Sequence, residues 1–291
     1  MRTELHSRTK TVLIGADLPF VMIGERINPT GRRKLGPQMA AGDFSAVRRD
    51  AERQAAAGAQ VLDLNAGYPA GEEAAMLQGA MRAVEEVCDL PLCLDSSRVD
   101  VLEAALGVCE GKALVNSVTG EESRLNTVLP LVRKYGGAVI AIVSDEEGIS
   151  MEPQQRVAIG RRILERARDY GIAAEDVILD PICLAIATEA QSTRVTLETI
   201  RLIRDELGVN LCCGASNIGF GLPDRAALGA AFLPMAMAGG LTSAIADAMN
   251  PVIRDAVLAA DLLLGRDEYA GRWLAHFRNK QKAAAELARA G

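Results

Sequence analysis

A chain of 291 residues with 49% hydrophobic and 24% charged residues carries enough apolar side chains for one large core, which excludes a disordered chain. The net charge is −6 and the basic residues are scattered, apart from GRRK at 31–34, so we expect no nucleic acid partner. The charged start MRTELHSRTK gives no sign of a secretory signal, and we expect a cytoplasmic protein.

Short apolar runs rich in Val, Ile and Leu recur along the chain, and each predicts a β-strand. The runs are FVMIG at 20, QVLDLN at 60, PLCLDS at 91, ALVNS at 113, AVIAIVS at 138, DVILDP at 176, VNLCCGASN at 209 and LTSAIAD at 241. They are apolar throughout instead of alternating, which is typical of parallel strands buried on both faces.

Amphipathic helices are predicted between the runs. The first has Asp43 as its N-cap and Gly58 as its stop, and the segment TLETIRLIRDELG at 196 places its apolar residues on one stripe. Eight alternations of strand and helix favour a single-domain (β/α)8 barrel, which we place at 1–266. Residues 267–291 are predicted to form an extra C-terminal helix on the outside. No G-x-G-x-x-G follows the first strand, which weakens the alternative of an open dinucleotide-binding sheet.

No residue between Arg225 and Asp247 is charged, a stretch long enough to cross a bilayer. Its Ala and Gly content, Pro234 and the pair Gly239-Gly240 favour a buried helix, a turn and a strand instead, so we expect no membrane contact. This stretch needs more burial than the outside of a lone barrel offers. It therefore predicts a homodimer.

Polar residues follow the apolar runs, at the strand ends where barrels of this kind carry their chemistry. In chain order they are Glu25 and Asn28, Asp63 and Asn65, Asp95, Asn116, Ser144 and Asp145, Asp180, Ser216 and Asn217, and Asp247 and Asn250. Any one of them is explained as a cap of the following helix. The segments DLN, LDS, VNS, LDP and ASN on one rim together indicate a binding site.

The residue types on this rim exclude several chemistries. His6 and His276 are the only histidines and lie near the termini, so a histidine-based acid, base or metal site is not expected, and no G-x-S-x-G elbow is present. Asp95 and Asp180 could form a glycosidase pair, but only 3% of the residues are aromatic and sugar sites usually stack rings on aromatics. A heterocycle with mixed donors and acceptors, such as a pterin, suits Asp and Asn side chains best.

The motifs IGERINPTGRRKL, DLNAG, LDSS, VNSVTG, LDPICL, GASNIGFGLP and SAIADAMNP occur in this order between residues 23 and 251. Together they resemble the methyltetrahydrofolate:corrinoid methyltransferase family, which shares a pterin-binding barrel with the folate domain of cobalamin-dependent methionine synthase. The resemblance implies that Asp95, Asn116 and Asp180 hold the pterin ring and that Asn217 lies beside the methyl-bearing N5. It also implies that the loop after the first barrel strand covers the site.

From this resemblance we expect catalysis by Asn217 and Asp180. The expected pterin-binding residues are Asp95, Asn116, Asp180, Asn217, Ser216, Gly214, Glu25, Asn28, Asp63 and Asn65. The substrates are expected to be methyltetrahydrofolate or tetrahydrofolate. The family uses a cobamide on a separate corrinoid protein, and this chain has no DxHxxG motif of the kind that ligates such a cofactor. We expect no bound metal.

Three alternatives remain open. The six cysteines contain no C-x-x-C pair and are expected to be reduced core thiols, yet Cys212 and Cys213 with Cys183 could form a zinc site for homocysteine methylation. A dihydropteroate synthase shares the fold, but its SRK-type motif is replaced here by ASN. The third alternative is a folate-binding protein without catalysis.

Overall fold

The computed structural model describes residues 1–290 and forms one barrel surrounded by helices. The strands are β1 (Arg2–His6), β2 (Thr11–Gly15), β3 (Val21–Ile27), β4 (Val61–Asn65), β5 (Leu92–Asp95), β6 (Leu114–Thr119), β7 (Ala138–Ile142), β8 (Val177–Asp180), β9 (Cys212–Gly214) and β10 (Ser243–Ala246). The helices are α1 (Leu35–Ala40), α2 (Ser45–Ala56), α3 (Glu73–Glu85), α4 (Val99–Leu106), α5 (Glu122–Tyr135), α6 (Pro153–Asp169), α7 (Ser192–Glu206), α8 (Arg225–Gly239), α9 (Pro251–Leu263) and α10 (Gly271–Ala290).

The predicted (β/α)8 barrel is confirmed. Strands β3 to β10 form one parallel sheet in the order β8-β7-β6-β5-β4-β3-β10-β9, and a parallel bridge between Leu179 and Leu211 brings its two edges together. Each of the eight predicted apolar runs overlaps one of these strands, and β3 and β6 extend beyond their runs at the carboxyl end.

Side chains that alternate along each strand divide the core into two layers. Val61, Cys93 and Cys212 belong to the cluster inside the barrel, whereas Leu62 and Cys213 belong to the larger cluster between the barrel and its helices. The inward positions are apolar near the amino ends of the strands. They become polar at the carboxyl ends, where the candidate site lies.

The hairpin of β1 and β2 was not predicted from the sequence. Its two strands are antiparallel, and Leu5 and Ile14, both fully buried, join the cluster inside the barrel. Asn210 ties the hairpin to the barrel by donating to Thr3 Oγ1 and to the carbonyl oxygen of Ile14, both at 2.9 Å. The hairpin therefore closes the end of the barrel opposite to the strand ends that carry the polar residues.

One helix boundary differs from the prediction. Helix α2 begins at Ser45 with Phe44 as its N-cap, so the prediction of Asp43 as N-cap is wrong by one residue. Asp43 still accepts a hydrogen bond of 3.0 Å from the Ser45 amide. This contact with the first turn explains why an aspartate at this position resembles an N-cap. Gly58 follows the helix with a φ of +101°, as expected of a stop.

The uncharged stretch forms α8, a turn at Gly240 and β10, as predicted. Helix α10 follows a short 3-10 helix at Glu268–Ala270 and contacts α9, to which it is joined by a hydrogen bond of 2.6 Å between His276 Nε2 and Asp255 Oδ1. Across residues 1–290, none of the helices combines the length and the apolar character that a membrane crossing requires.

Candidate active site

Polar side chains from neighbouring strands meet inside the carboxyl end of the barrel. In the sheet register Asn65 lies opposite Asp95, and Asp95 lies opposite Asn116. Asp180 is the last residue of β8. All four alternate with outward-facing apolar residues such as Leu64, so their side chains face the barrel interior.

Two hydrogen bonds orient the carboxamides of this ring. Asn65 Nδ2 donates to Asp95 Oδ2 at 3.0 Å, and Asn116 Nδ2 donates to Asp63 Oδ1 at 3.2 Å. Asp63 lies one layer deeper and its residue is only 3% exposed. Because Asn116 uses its amide nitrogen on Asp63, its carbonyl oxygen remains to accept a hydrogen bond from a ligand.

Burial raises the pKa of the ring carboxyl groups. For Asp63 and Asp95 the first cause is loss of solvent, and the negative charge of Asp95 raises the pKa of Asp63 further. Burial also raises the pKa of Asp180 to about 7. Because the folded protein binds this proton more tightly than the unfolded chain, Asp180 favours folding at acid pH, and this contribution is lost as the pH rises from 3.8 to about 7.

Asp180 begins a constrained loop that sequence reasoning did not foresee. Its Oδ1 accepts a hydrogen bond of 2.8 Å from the amide of Ile182, a β-branched residue whose φ is +64°. The carbonyl oxygen of Ile182 accepts in turn from Arg156, which is 0% exposed although it carries a guanidinium group. The helical spacing of Arg156 with Ile159, Gly160 and Ile163 places it on the buried face of α6. A charged residue at such a position is the sequence feature that could have indicated its role.

The segment after β9 carries Asn217 at the mouth of the barrel. Strand β9 ends at Gly214, and a short 3-10 helix from Ala215 to Gly219 follows. Asn217 is exposed, and its Nδ2 lies 2.9 Å from the point where a Cβ on Gly214 would be. Only a residue without a side chain at position 214 therefore allows the Asn217 carboxamide to lie against the strand end.

We predict that Gly214→Ala displaces the Asn217 side chain and slows any reaction that this side chain assists by about tenfold, since small misplacements of reacting groups are costly. Its φ of −71° suits alanine, so the fold should tolerate the change. Single-turnover transfer rates and melting temperatures would be compared with those of Gly271→Ala, where the nearest atom lies 4.0 Å away. Rates equal to that control would mean that Gly214 does not position Asn217.

Glu25 connects the first barrel strand to this segment. Ser216 Oγ donates to Glu25 Oε1 at 2.9 Å, and Arg225 donates to the carbonyl oxygen of Ser216 at 2.7 Å. Burial, opposed by this hydrogen bond, raises the pKa of Glu25, and the nearby Asp247 raises it further. A cavity of about 190 Å³ opens between these residues and helices α8 and α9.

Asn28 lies in the loop after β3, where its Oδ1 accepts a hydrogen bond of 2.8 Å from the Thr30 amide. This contact turns the loop, and Arg32 secures it by pairing with Asp50 at 2.5 Å. No hydrogen bond in the described part of the chain joins Asn28 to the ring of strand-end residues. Its role in substrate binding therefore remains a prediction.

The polar residues after β7 and β10 have ordinary structural partners. Asp145 forms an ion pair of 3.2 Å with Arg162, and Asn250 caps α9 by accepting from the Val252 amide at 3.0 Å. The helix-cap explanation thus holds for Asn250. The ring itself comes from β4, β5, β6 and β8.

The adjacent cysteines of β9 face opposite sides of the barrel wall. Cys212 lies in the cluster inside the barrel, and Cys213 lies in the outer layer with Cys183. Burial raises the pKa of the Cys212 thiol, while the pKa of Cys213 is raised first by a hydrogen bond with Cys183 and then by burial. Within residues 1–290, no three His, Cys, Asp or Glu side chains are grouped as a metal ion would require.

Comparison with known proteins agrees with this geometry. Residues 24–247 match the family model described as pterin binding enzyme. The chain is 30% identical to a methylcorrinoid:tetrahydrofolate methyltransferase of Eubacterium limosum, over 89% of this chain and 96% of that protein. It is 33% identical to the methionine synthase of Mycobacterium tuberculosis over 80% of this chain, but it spans only 21% of that protein.

Among solved structures, a dihydropteroate synthase from Xanthomonas albilineans in complex with 7,8-dihydropteroate superposes with a TM-score of 0.69. The alignment covers 89% of this chain and 98% of the synthase at 20% identity, a level at which only the fold is shared. The matched family model covers most of the chain, from β3 to the end of β10. The chain therefore belongs to the pterin binding enzyme family.

Proposed function

We propose that this methyltransferase moves a methyl group between N5 of tetrahydrofolate and the cobalt of a corrinoid protein. The observation that carries the proposal is the ring of Asn65, Asp95, Asn116 and Asp180 beside Gly214 and Asn217. A pterin presents both donors and acceptors on its edges, and this ring offers carboxylate acceptors next to carboxamides that can do both. The pterin ring is held in the same way for either direction of transfer.

In this proposal Asp95, Asn116 and Asp180 bind the pterin ring. A carboxylate accepts two parallel N–H bonds from an amidine-like edge, which suits Asp95 or Asp180. Asn116 is fixed by its bond to Asp63, so it meets the ring with its carbonyl oxygen. Asn65, which donates to Asp95, keeps that carboxylate in one orientation.

Asn217 is proposed to act on N5. Departure of the methyl group would leave a very basic nitrogen anion unless N5 gains a proton or a strong hydrogen bond by the transition state. The Asn217 carboxamide can donate without carrying a charge, and a donor that strengthens as the bond breaks accelerates the reaction. Glu25 and Ser216 would support the segment that carries it.

The partner is proposed to be a separate corrinoid protein that docks over the barrel mouth. Its cobamide supplies the cobalt that exchanges the methyl group. Asn217 is exposed at this mouth, so a group bound beside it remains within reach of a docked partner. The printed name of the Eubacterium limosum relative pairs a methylcorrinoid with tetrahydrofolate, which supports both substrates. We also propose that the reaction takes place in the cytoplasm.

The proposal is tested by an anaerobic assay of the purified protein with methyltetrahydrofolate and free cob(I)alamin, followed through the cobalt spectrum. We expect protein-dependent formation of methylcobalamin. Folate binding without methyl transfer, to either free cobalamin or a corrinoid protein, would favour a folate-binding protein without catalysis. Stoichiometric zinc in the protein, or loss of turnover after dialysis against a chelator, would contradict the expectation that no metal takes part.

We also propose that the protein is a homodimer, with α8 at its interface. The outer face of this helix carries the exposed residues Ala227, Ala231, Met235 and Ala238, and Met235 is 55% exposed. We predict a dimer at micromolar concentration by light scattering, and a monomer after Met235→Glu, because the charge would have to be buried at the interface. A monomeric wild-type protein would contradict this proposal.

A further inference from the structure

Arg156 is a buried cation, and no carboxylate among the described residues forms a hydrogen bond or ion pair with it. Its Nε donates to the Ser150 carbonyl oxygen at 2.7 Å, and its Nη1 donates to the carbonyl oxygens of Pro181 and Ile182 at 2.7 and 3.1 Å. The side chain lies in the first turn of α6 and is 0% exposed. A buried charge is costly, and burial accordingly lowers the pKa of Arg156. A neutral side chain of similar volume would avoid that cost.

The three acceptors belong to two loops at the barrel mouth, the loop after β7 at residues 143–152 and the loop after β8 at residues 181–191. The second loop contains Ile182, whose left-handed φ of +64° is unfavourable for a β-branched residue. Thr196, fully buried on α7, lies with its hydroxyl 2.8 Å from the same Ile182 carbonyl oxygen. Two helices thus hold the strained residue, whose amide donates to Asp180.

We propose that Arg156 is a positioning residue for the pterin site. Its guanidinium group fixes both mouth loops through their carbonyl oxygens and places a positive charge near the Asp180 carboxylate. The inference rests on the proposed function, in which Asp180 accepts hydrogen bonds from the pterin. An ionised Asp180 is the better acceptor, and a nearby cation favours that form.

In the described part of the chain, Arg156 is the positively charged group that acts on Asp180. The titratable groups that interact with Asp180 or lie next to Arg156 are Arg156 on α6, the thiols of Cys212 and Cys213 on β9, and Cys183 in the loop. The negative charge of Asp63 also raises the pKa of the Cys212 thiol. Removing the guanidinium should therefore raise the pKa of Asp180 above about 7.

The test measures the titration of Asp180 directly in the ligand-free protein. Carbon-13 NMR of labelled aspartate carboxyls, with Asp180→Asn for assignment, gives the midpoint. We expect a midpoint near 7 in the wild type and an increase of about one unit or more in Arg156→Met. The control is Arg161→Met on the same helix, an exposed arginine that pairs with Glu206, and its midpoint should equal the wild-type value.

Methyltetrahydrofolate affinity is then measured against pH with the same variants. If the ionised form binds, a one-unit rise of the midpoint lowers affinity at pH 7 by about fivefold, and affinity recovers above about pH 9. Arg156→Lys keeps the positive charge but loses the planar guanidinium group with its several N–H donors. The Asp180 midpoint in this variant should therefore stay near that of the wild type. The folate affinity of this variant should fall even at about pH 8, because one ammonium does not hold both loops.

An unmoved NMR midpoint in Arg156→Met, with affinity reduced equally at every pH, would reduce Arg156 to a structural residue and overturn the proposal. If Arg156→Met does not fold, Arg156→Lys is the deciding variant. Wild-type folate affinity in Arg156→Lys would show that the planar guanidinium group is not needed to hold the two loops, and would overturn the proposal. A wild-type protein that binds no folate would contradict the proposed function instead. The NMR midpoints separate that failure from a failure of the Arg156 proposal.

Discussion

Replacing Asn217 by alanine is expected to slow single-turnover methyl transfer by about a hundred- to a thousandfold, the cost of losing one donor aimed at a developing charge. Folate binding should weaken far less, because the carboxamide is proposed to interact with N5 more strongly as the methyl group departs. The measurement compares transfer to cob(I)alamin with equilibrium binding of methyltetrahydrofolate on the same preparation.

Asn250→Ala is the matched control, since it removes the same carboxamide from the end of another barrel strand. Asn250 caps α9, so this change should reduce stability by about 1 kcal/mol and leave the chemical step unchanged. If transfer and binding fall by the same factor in Asn217→Ala, Asn217 holds the ring and N5 is activated by another group. Asp180 with an ordered water would be the next candidate.

Asp95→Ala is expected to raise the dissociation constant for methyltetrahydrofolate by about ten- to a hundredfold, since a charge-assisted hydrogen bond contributes roughly 1.5–3 kcal/mol. The change also removes a negative charge that raises the pKa of Asp63. Asp63 should then ionise at lower pH, which the aspartate NMR titration would detect. Calorimetric titration of the folded variant gives the affinity.

Asp145→Ala is the comparison for Asp95→Ala, because Asp145 also follows a barrel strand but pairs with Arg162 at the edge of the site. Its folate affinity should match that of the wild type. Asp95→Asn keeps the shape and removes the charge, so it separates loss of the carboxylate from loss of packing. Wild-type affinity in Asp95→Ala would remove Asp95 from the pterin site.

The barrel was predictable because a few consecutive residues are enough to predict each strand. A run such as QVLDLN predicts a strand through its local apolar character alone. The strand-end Asp and Asn residues were predictable for the same reason, once the fold brought the strand ends to one rim. The sequence also indicated the stop at Gly58, since the left-handed φ there favours glycine.

Contacts between distant segments were not predictable. The strand β1 pairs with β2, and Asn210 fixes this hairpin to the barrel by a hydrogen bond to Thr3. Asn210 lies 207 residues after Thr3, so the sequence gives no sign of this contact. Which of the strand-end residues bond to each other depends on sheet register, as in the pairing of Asn116 with Asp63. The sequence places Arg156 on the buried face of α6, but its three carbonyl partners are known only from the fold.

The hairpin of β1 and β2 restricts the order in which molecules can enter and leave the proposed site. It fills the far end of the barrel with Leu5 and Ile14, so the strand-end side, where Asn217 is exposed, is the side open to a folate. A corrinoid protein docked over that mouth would block the opening through which folate enters. Folate would then have to bind first and leave last, so an excess of the corrinoid protein would trap folate and slow turnover.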